Sequence, residues 1–253
     1  MEKMKSVAIV AAFAFAFSTA SAQTPFYLGV KGGISIPNLG SGGGNPVSSG
    51  YSSILGPYFG VFAERGITHH FSIQVELNYS AQGGKKNGEQ AIPTAPFAAY
   101  FPPGTPLPEY FYANYDSKAQ LNYLELPILA KYNLPLGGRW KFVADLGPYI
   151  GYLLHAKNVT ADSSLIYQDQ AETTPVLPTK EDFSGNEDIT SDIHRFNFGI
   201  QGGVGLEFRA GHGYLYLHAG GNYGLLNIQK YAADGKNNTG AATVVVGYAL
   251  KLR

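Results

Sequence analysis

The chain has 253 residues, 18 Lys and Arg against 18 Asp and Glu, and no cysteine, so its formal net charge is zero. Without cysteine it forms neither disulfides nor a thiolate metal site, and without a basic surplus it lacks the electrostatic signature of nucleic-acid binding. Its 32 Gly, 18 Tyr and 15 Phe indicate an ordered chain rather than a disordered one.

The first residues have the pattern of a secretory signal peptide. Lys3 and Lys5 form a positive start, residues 7–17 are almost entirely apolar, and small residues precede Gln23. The apolar run is too short to span a bilayer. We therefore predict a signal peptide at residues 1–22, a mature domain at 23–253 that begins at Gln23, and export across the inner membrane.

Alternation of apolar and polar residues then predicts eight strands and no helix of comparable regularity. In chain order, the predicted strands cover residues 26–36, 54–64, 71–82, 120–132, 140–154, 194–208, 214–228 and 242–252. The segment FSIQVELNYSAQ, residues 71–82, is the clearest, because one parity is apolar up to Tyr79 and the other is polar throughout.

The predicted connections differ in length in a regular way. Those at 37–53, 83–119 and 155–193 are long, and the ones between them are short and rich in glycine. Short turns at one end and long loops at the other are typical of bacterial outer-membrane barrels, which have an even number of strands. The sequence thus predicts an all-β fold, an eight-stranded antiparallel up-and-down transmembrane β-barrel with both termini at the short-turn end.

The two faces of the strands support this topology. One parity is apolar and suits lipid, whereas the other carries charges that would be costly in a soluble core. The predicted inward charges are Lys31, Glu64, Glu76, Glu125, Lys131, Lys141, Asp145, Arg195, Glu207, Arg209 and Lys251. Six are basic and five acidic, which indicates a paired interior, because eight strands leave a lumen that side chains can fill.

Counting from the short-turn end predicts that some of these side chains share one layer. The predicted layer consists of Lys31, Glu76, Glu125, Asp145 and His218. In it, Lys31 would be the main cation among three carboxylates. A structural role and a proton or ion step are both compatible with such a layer.

One long loop is rich in proline and aromatic residues at positions 91–115. Its predicted contact residues are Phe97, Tyr100, Phe101, Tyr110, Phe111 and Tyr112. Proline limits the entropy lost on ordering and aromatic rings supply contact area. The loop is predicted either to cover the barrel mouth as a lid or to bind a partner. The acidic loop at 160–192 is predicted to be solvated.

The candidates for catalysis are weak. His155 and His194 lie near the predicted rim and could act with the segment 162–164, Asp-Ser-Ser, but the sequence does not fix their geometry. His69, His70 and His212 lie in short turns with poor spacing for a shared metal. We therefore predict no catalytic residues, no cofactor and no metal site.

Four segments resemble a known family: YLELPILAKYNL (residues 123–134), LGPYIGYLL (146–154), FNFGIQGGVGLEF (196–208) and YGLLNI (223–228). They are similar to the PorT-type outer-membrane β-barrel family. The resemblance implies a small, porin-like barrel of eight strands. It also implies that the protein is associated with a protein-secretion apparatus. The shared motifs are structural, and none carries a catalytic or ligand-binding residue.

The sequence as a whole predicts a barrel of the bacterial outer membrane that presents its loops for a structural or interaction role. Expected partners are outer-membrane lipid and envelope or secretion proteins, with no nucleic acid, and the chain is expected to be a monomer. The main alternative is a narrow pore or transporter for ions or small solutes. A barrel-embedded enzyme that modifies lipids is the third hypothesis.

Overall fold

The computed structural model describes residues 24–252, and the predicted signal peptide lies outside them. Neither helical segment in this part of the chain, Ala95–Tyr100 or Ala232–Asp234, is long and apolar enough to span a bilayer. The strands are β1 (Phe26–Ser41), β2 (Gly56–Gly66), β3 (Phe71–Lys86), β4 (Glu89–Pro93), β5 (Tyr110–Asn114), β6 (Asp116–Gly137), β7 (Trp140–Ala161), β8 (Ser163–Ser164), β9 (Ile166–Tyr167), β10 (Glu181–Asp182), β11 (Gly185–Asp188), β12 (Phe196–Ala210), β13 (Gly213–Gly224) and β14 (Asn237–Lys251).

Eight of these strands form a closed ring in the order β1-β2-β3-β6-β7-β12-β13-β14, and every neighbouring pair is antiparallel. The ring closes where β1 pairs with β14, with Tyr27 opposite Lys251. Barrel strands follow one another in chain order, so the barrel is of the up-and-down type. The predicted fold class is confirmed.

Both described ends of the chain lie at the short-turn end of the barrel. Three tight connections close that end, after β2, β6 and β12. Gly138 and Gly211 adopt φ values of 58° and 59° in two of them. These left-handed conformations favour glycine, which is why the turn sequences could be recognised.

Five barrel strands, β1, β3, β6, β7 and β14, continue past their predicted ends on the long-loop side. β6 and β7 each have 22 residues, whereas β2 has 11. A tilted strand needs about 9–11 residues to cross a bilayer. β6 and β7 therefore continue as a hydrogen-bonded wall above the membrane. There no side chain faces lipid, so the apolar–polar alternation used to predict strands is not required.

The apolar parity faces outward, as predicted. Val30, Phe59 and Leu146, for example, are 60%, 52% and 63% exposed. Aromatic pairs lie near the short-turn end of this surface, with ring centroids 5.2 Å apart for Phe71 and Tyr132. The exposed apolar band is the lipid-facing surface, and its aromatic edge suits the membrane–water interface.

Three of the eleven charges that we predicted inside the barrel lie outside its core. Arg195, Arg209 and Lys251 are exposed at the ends of the barrel. Arg195 precedes β12, and the other two line an open cavity at the short-turn end. Their parity is inward, but at the ends of a barrel an inward side chain still reaches water. The prediction that basic and acidic residues nearly balance inside the barrel was therefore wrong.

Candidate functional site

The lower part of the lumen, toward the short turns, contains a buried charge cluster. Lys131 Nζ lies 2.8 Å from Glu64 Oε2 and 2.6 Å from Glu207 Oε1. Lys141 adds a longer contact of 3.4 Å to Glu207, and Tyr214 donates its hydroxyl to Glu64. Two lysines thus neutralise two carboxylates on strands from different sides of the ring, which ties the barrel walls together.

One step higher, Lys31 forms the second buried ion pair. Its Nζ lies 2.5 Å from Glu76 Oε2. Glu76 also accepts hydrogen bonds from the amides of Gln74 at 2.6 Å, Asn78 at 2.8 Å and Gln201 at 3.0 Å. With four donors around one carboxylate, the charge is well satisfied despite its burial.

Asp145 and His218 meet on the opposite wall. His218 Nε2 lies 2.9 Å from Asp145 Oδ2, although their strands, β7 and β13, are separated by β12. The position of β12 between them is Gly203, where a Cβ atom would lie 2.5 Å from the His218 ring. Glycine at this position leaves the space in which the two side chains meet.

Glu125 lies farther up the lumen, and no ion pair within residues 24–252 joins it to a cation. Asn222 Nδ2 donates to it at 3.0 Å, and Gln82 Nε2 at 3.3 Å. Its side chain is completely surrounded, with 1% of the residue exposed. The predicted layer is thus divided: Lys31 pairs with Glu76, Asp145 pairs with His218, and Glu125 belongs to a separate amide-lined level.

Free volume is small between the two upper pairs, whereas a cavity of about 140 Å³ borders Lys141, Glu207 and Tyr214 at the short-turn end. A cavity of about 20 Å³ separates the Lys31–Glu76 pair from the Asp145–His218 pair, which is room for about one water molecule. The buried or half-buried charges in the described part of the lumen are Glu64, Glu76, Glu125, Asp145 and Glu207 against Lys31, Lys131 and Lys141, with His218. Carboxylates are in excess even if His218 is protonated.

An apolar plug closes the upper lumen, toward the long loops. Its buried residues are Leu39, Ala119, Leu121, Tyr123, Leu153, Ala156, Ile193 and Ile228. Six come from barrel strands, whereas Ile193 and Ile228 come from the two loops that flank β12 and β13. His194 N donates to Ile228 O at 2.8 Å, so the two loops are tied to each other over the mouth.

The proline- and aromatic-rich loop does not contribute to this plug. It forms the hairpin β4–β5, extended by pairing of β5 with β9 in a small separate sheet. Tyr100 at its tip is 84% exposed and Phe97 is 42% exposed. Phe111 is buried, and its ring centroid lies 5.9 Å from that of Phe101. Tyr110 and Tyr112 are half-buried.

Most of the acidic loop is exposed, and so is its neighbour His155, although Ser164 and Thr190 are buried. His155 Nδ1 lies 3.8 Å from Asp188 Oδ2, and both side chains are about half exposed or more. Hydrogen bonds from the side chain and backbone of Thr190 hold the pKa of Asp188 below its ordinary value. These contacts order the loop where it returns to β12.

The weak catalytic and metal candidates are not assembled in the described residues. Ser164 Oγ donates to the carbonyl of Leu165, and no hydrogen bond or ion pair between residues 24 and 252 joins it to His155 or His194. Within the same range no group of three or more His, Asp or Glu residues is arranged to hold a metal ion.

The sequence did not identify two parts of this interior. The first is the lower cluster around Lys131. The alternation marked each of its members as inward, but the strand stagger that brings them together cannot be read from one sequence. The plug residue Ile228 was predicted to lie in a strand, whereas β13 ends at Gly224 and the chain then turns inward. An isolated isoleucine in a loop gave no signal.

Fold and interior together define a class of protein: an eight-stranded transmembrane barrel with a lipid-facing exterior, a lumen filled by paired charges, and loops that close one mouth. The family model described as outer membrane protein beta-barrel domain matches residues 21–230. The chain belongs to this family, and its location is the bacterial outer membrane.

Solved structures also align with most of the chain, at low identity and low TM-score. Neisserial surface protein A (NspA) aligns at 12% identity with a TM-score of 0.41, covering 91% of this chain and 100% of that chain. Ail of Yersinia pestis aligns at 10% identity and 0.38, covering 89% and 99%. OprG of Pseudomonas aeruginosa aligns at 12% and 0.37, covering 90% and 96%. No curated protein sequence matches the chain.

Proposed function

We propose that this protein is a non-conducting outer-membrane barrel that holds a rigid set of extracellular loops for interaction with an envelope or secretion protein. The observation that carries the proposal is the closed lumen. Ion pairs fill its lower half, and the plug around Ile193 and Ile228 fills its upper mouth. A barrel closed in this way serves as a membrane-anchored support.

The hairpin β4–β5 is the proposed contact surface. It stands clear of the plug, and Phe97 and Tyr100 expose aromatic surface at its tip. Aromatic residues are enriched in the cores of protein interfaces. The barrel strands resemble the PorT-type family. On that basis we propose that the partner is a component of a protein-secretion apparatus.

Shortening this hairpin tests the proposal. Thr94 N donates to Glu109 O at 3.2 Å, so an Asn-Gly turn in place of residues 95–108 would close the hairpin in its existing register. In native membranes, crosslinking followed by purification should recover a specific envelope protein with the wild type and not with the shortened variant. Both should keep the heat-modifiable gel migration of a folded barrel.

A variant with Phe97 and Tyr100 both changed to Ser is the matched control, since it removes the exposed rings and leaves the loop length unchanged. We expect it to lose the same crosslinked protein. Equal recovery with all three proteins would contradict the hairpin as a contact surface.

Planar-bilayer recording separates the proposal from the alternative of a narrow pore or transporter. The purified wild-type barrel should give no steady conductance, because ion pairs occupy the middle of the lumen, where the cavity between them holds about one water molecule, and the apolar plug covers the upper end. Reproducible unit conductance in the wild type would favour the pore.

A non-enzymatic role is part of the proposal, supported by the separation of Ser164 from His155 and His194. The lipid profile of a strain that lacks the protein tests it. An altered lipid A or phospholipid species that a plasmid copy restores would favour a lipid-modifying enzyme. We further propose that the chain is a monomer surrounded by outer-membrane lipid, and it needs no cofactor or nucleic acid in this role.

A further inference from the structure

A cavity of about 270 Å³ lies on the extracellular side of the plug. Its floor is apolar and includes Leu39, Leu121, Ile193 and Ile228, whose inner sides belong to the plug. Tyr51 adds an aromatic side chain to the wall. The volume is slightly below that of a typical small-molecule pocket, and the lining is about equally polar and apolar, with the apolar residues at the floor.

The charged part of the lining is of one sign, and Asn158 and Gln229 add neutral amides. Three carboxylates border the cavity, those of Glu187, Asp192 and Asp234, and no lysine, arginine or histidine lines it. None of the three carboxylates forms an ion pair within residues 24–252. Lys230 lies beside Asp192, since its backbone N–H donates to the Asp192 carbonyl and its ammonium group to the carbonyl of Ser191, but the carboxylate of Asp192 accepts its hydrogen bond from the Ser191 hydroxyl.

Two of these carboxylates are held partly out of water. Asp192 and Asp234 are half-buried, whereas Glu187 is exposed. Burial, and after it the Asp192 carboxylate, raise the pKa of Asp234 above its ordinary value. A cation placed between them would relieve this repulsion, and the Tyr51 ring would add to the attraction.

We propose that this cavity binds a small organic cation with an apolar body, such as an aryl- or alkylammonium compound. The apolar floor takes the body, and Asp192 and Asp234 take the ammonium group at the rim. At about 270 Å³ the cavity is just below the range of small-molecule pockets, which excludes a folded domain or a long peptide as the occupant. The hairpin β4–β5 does not line the cavity, so this site is independent of the proposed partner surface.

The test uses three probes of nearly the same size and different charge: phenethylammonium, phenethyl alcohol and phenylacetate. Binding to the full-length protein in detergent micelles is measured by ligand-observed NMR, with empty micelles as the blank for partitioning. We expect the cation to bind at least tenfold more tightly than the alcohol, and phenylacetate not to bind. Raising the salt concentration should weaken only the cation, because salt screens charge interactions at a rim.

The Asp192→Asn/Asp234→Asn double variant should lose this preference, so that cation and alcohol bind within about twofold of each other. Asp182→Asn is the matched control, because it removes a carboxylate of the same loop that does not line the cavity. It should keep the wild-type preference. Equal affinity of the wild type for cation and alcohol, or an unchanged preference in the double variant, would overturn the proposal.

Wild-type salt dependence keeps the proposal testable if the double variant does not fold. A cation affinity that does not change with salt would then count against the carboxylates as the binding groups.

Discussion

Single buried charges determine much of this barrel's stability. Glu76 is 3% exposed and receives one ammonium and three amide donors. Amides alone do not neutralise a carboxylate, so the remaining charge depends on Lys31. An ion pair of this kind is costly to break on one side, because the other charge stays buried without a counterion.

Replacing Lys31 with Met should lower the free energy of unfolding by about 3–5 kcal/mol, since Glu76 would lose its only cation. The additional change Glu76→Gln should recover part of the loss. Urea-induced unfolding in lipid vesicles measures both effects, with Lys180→Met, at an exposed loop position, as the control. A wild-type midpoint for Lys31→Met would mean that Lys31 is solvated in a wet lumen, and this would favour the pore hypothesis.

The pKa values of two loop carboxylates should be shifted in opposite directions. Burial and the neighbouring Asp192 raise the pKa of Asp234 above 3.8, whereas hydrogen bonds from Ser184, first from its backbone N–H, lower that of Asp182. Carboxyl ¹³C shifts followed between pH 2 and 8, a range of about two units below and four above the ordinary value, measure both. Asp192→Asn should bring Asp234 closer to 3.8 and leave Asp182 unchanged.

These two pKa shifts make the free energy of unfolding depend on pH. Because the folded-state pKa of Asp234 is raised, its ionisation destabilises the fold; this penalty is absent below 3.8 and complete above the raised pKa. The stability of Asp234→Asn relative to wild type should therefore increase as pH rises through that interval. Asp182→Asn should show the reverse, since the stabilising effect of ionised Asp182 is lost as pH falls below 3.8.

Among the elements, β6 and β7 have the largest role outside the membrane. Each has 22 residues, about twice what a membrane crossing requires. Their upper halves support β11 and lie next to the hairpin β4–β5, so one side of the extracellular face is a raised wall. The other side, at β1 and β14, ends in shorter strands. The cavity at the mouth borders this wall through Ala119, Asn158 and Glu187.

Single cysteines should reveal the orientation of these elements, because the chain has none of its own. Thr105→Cys and Lys180→Cys, in exposed long loops, should react with an impermeant maleimide on intact cells. His69→Cys and His212→Cys, in exposed short turns, should react only after the outer membrane is permeabilised. The reverse pattern would invert the barrel, and reaction of all four on intact cells would contradict membrane insertion.

At the scale of the whole molecule, the lumen changes character from one end to the other. Charged pairs fill the short-turn half, a lone carboxylate bound by amides follows, and apolar side chains fill the long-loop end. A smaller apolar cluster of Phe62, Tyr214 and Ala249 lies in the short-turn half and is built from barrel strands alone. The plug is the larger of these two clusters, and it includes Ile193 and Ile228 from loops that reach inward.

Ile228→Ala should lower the free energy of unfolding by about 2–5 kcal/mol, because it opens a hole in the plug. Leu226→Ala in the same loop is the matched control: Leu226 is 45% exposed, and its loss should cost no more than about 0.5 kcal/mol. Urea unfolding measures both. Equal effects of the two changes would show that the plug contributes little to stability. Any conductance gained by Ile228→Ala alone would identify the plug as the barrier in the lumen.

The sequence by itself determined the barrel: strand alternation gave the two faces, and the glycine turns and unequal loops gave the strand count and direction. These features are local, since the alternation of side chains across a strand and the conformational demands of a turn act within a few residues. Parity also marked Lys31, Glu76, Glu125 and Asp145 as inward. Parity did not predict burial for Arg195, Arg209 and Lys251, because an inward side chain at the end of the barrel still reaches water.

Only the tertiary structure decided which inward groups meet. Whether Lys31 pairs with Glu76 or Glu125 depends on the stagger of eight strands, and Asp145 reaches His218 because the intervening strand has glycine at position 203. The plug and the acidic-rimmed cavity depend on where two loops fold back. Such contacts join residues far apart in the chain, and their energies come from packing and charge pairing that no local pattern encodes.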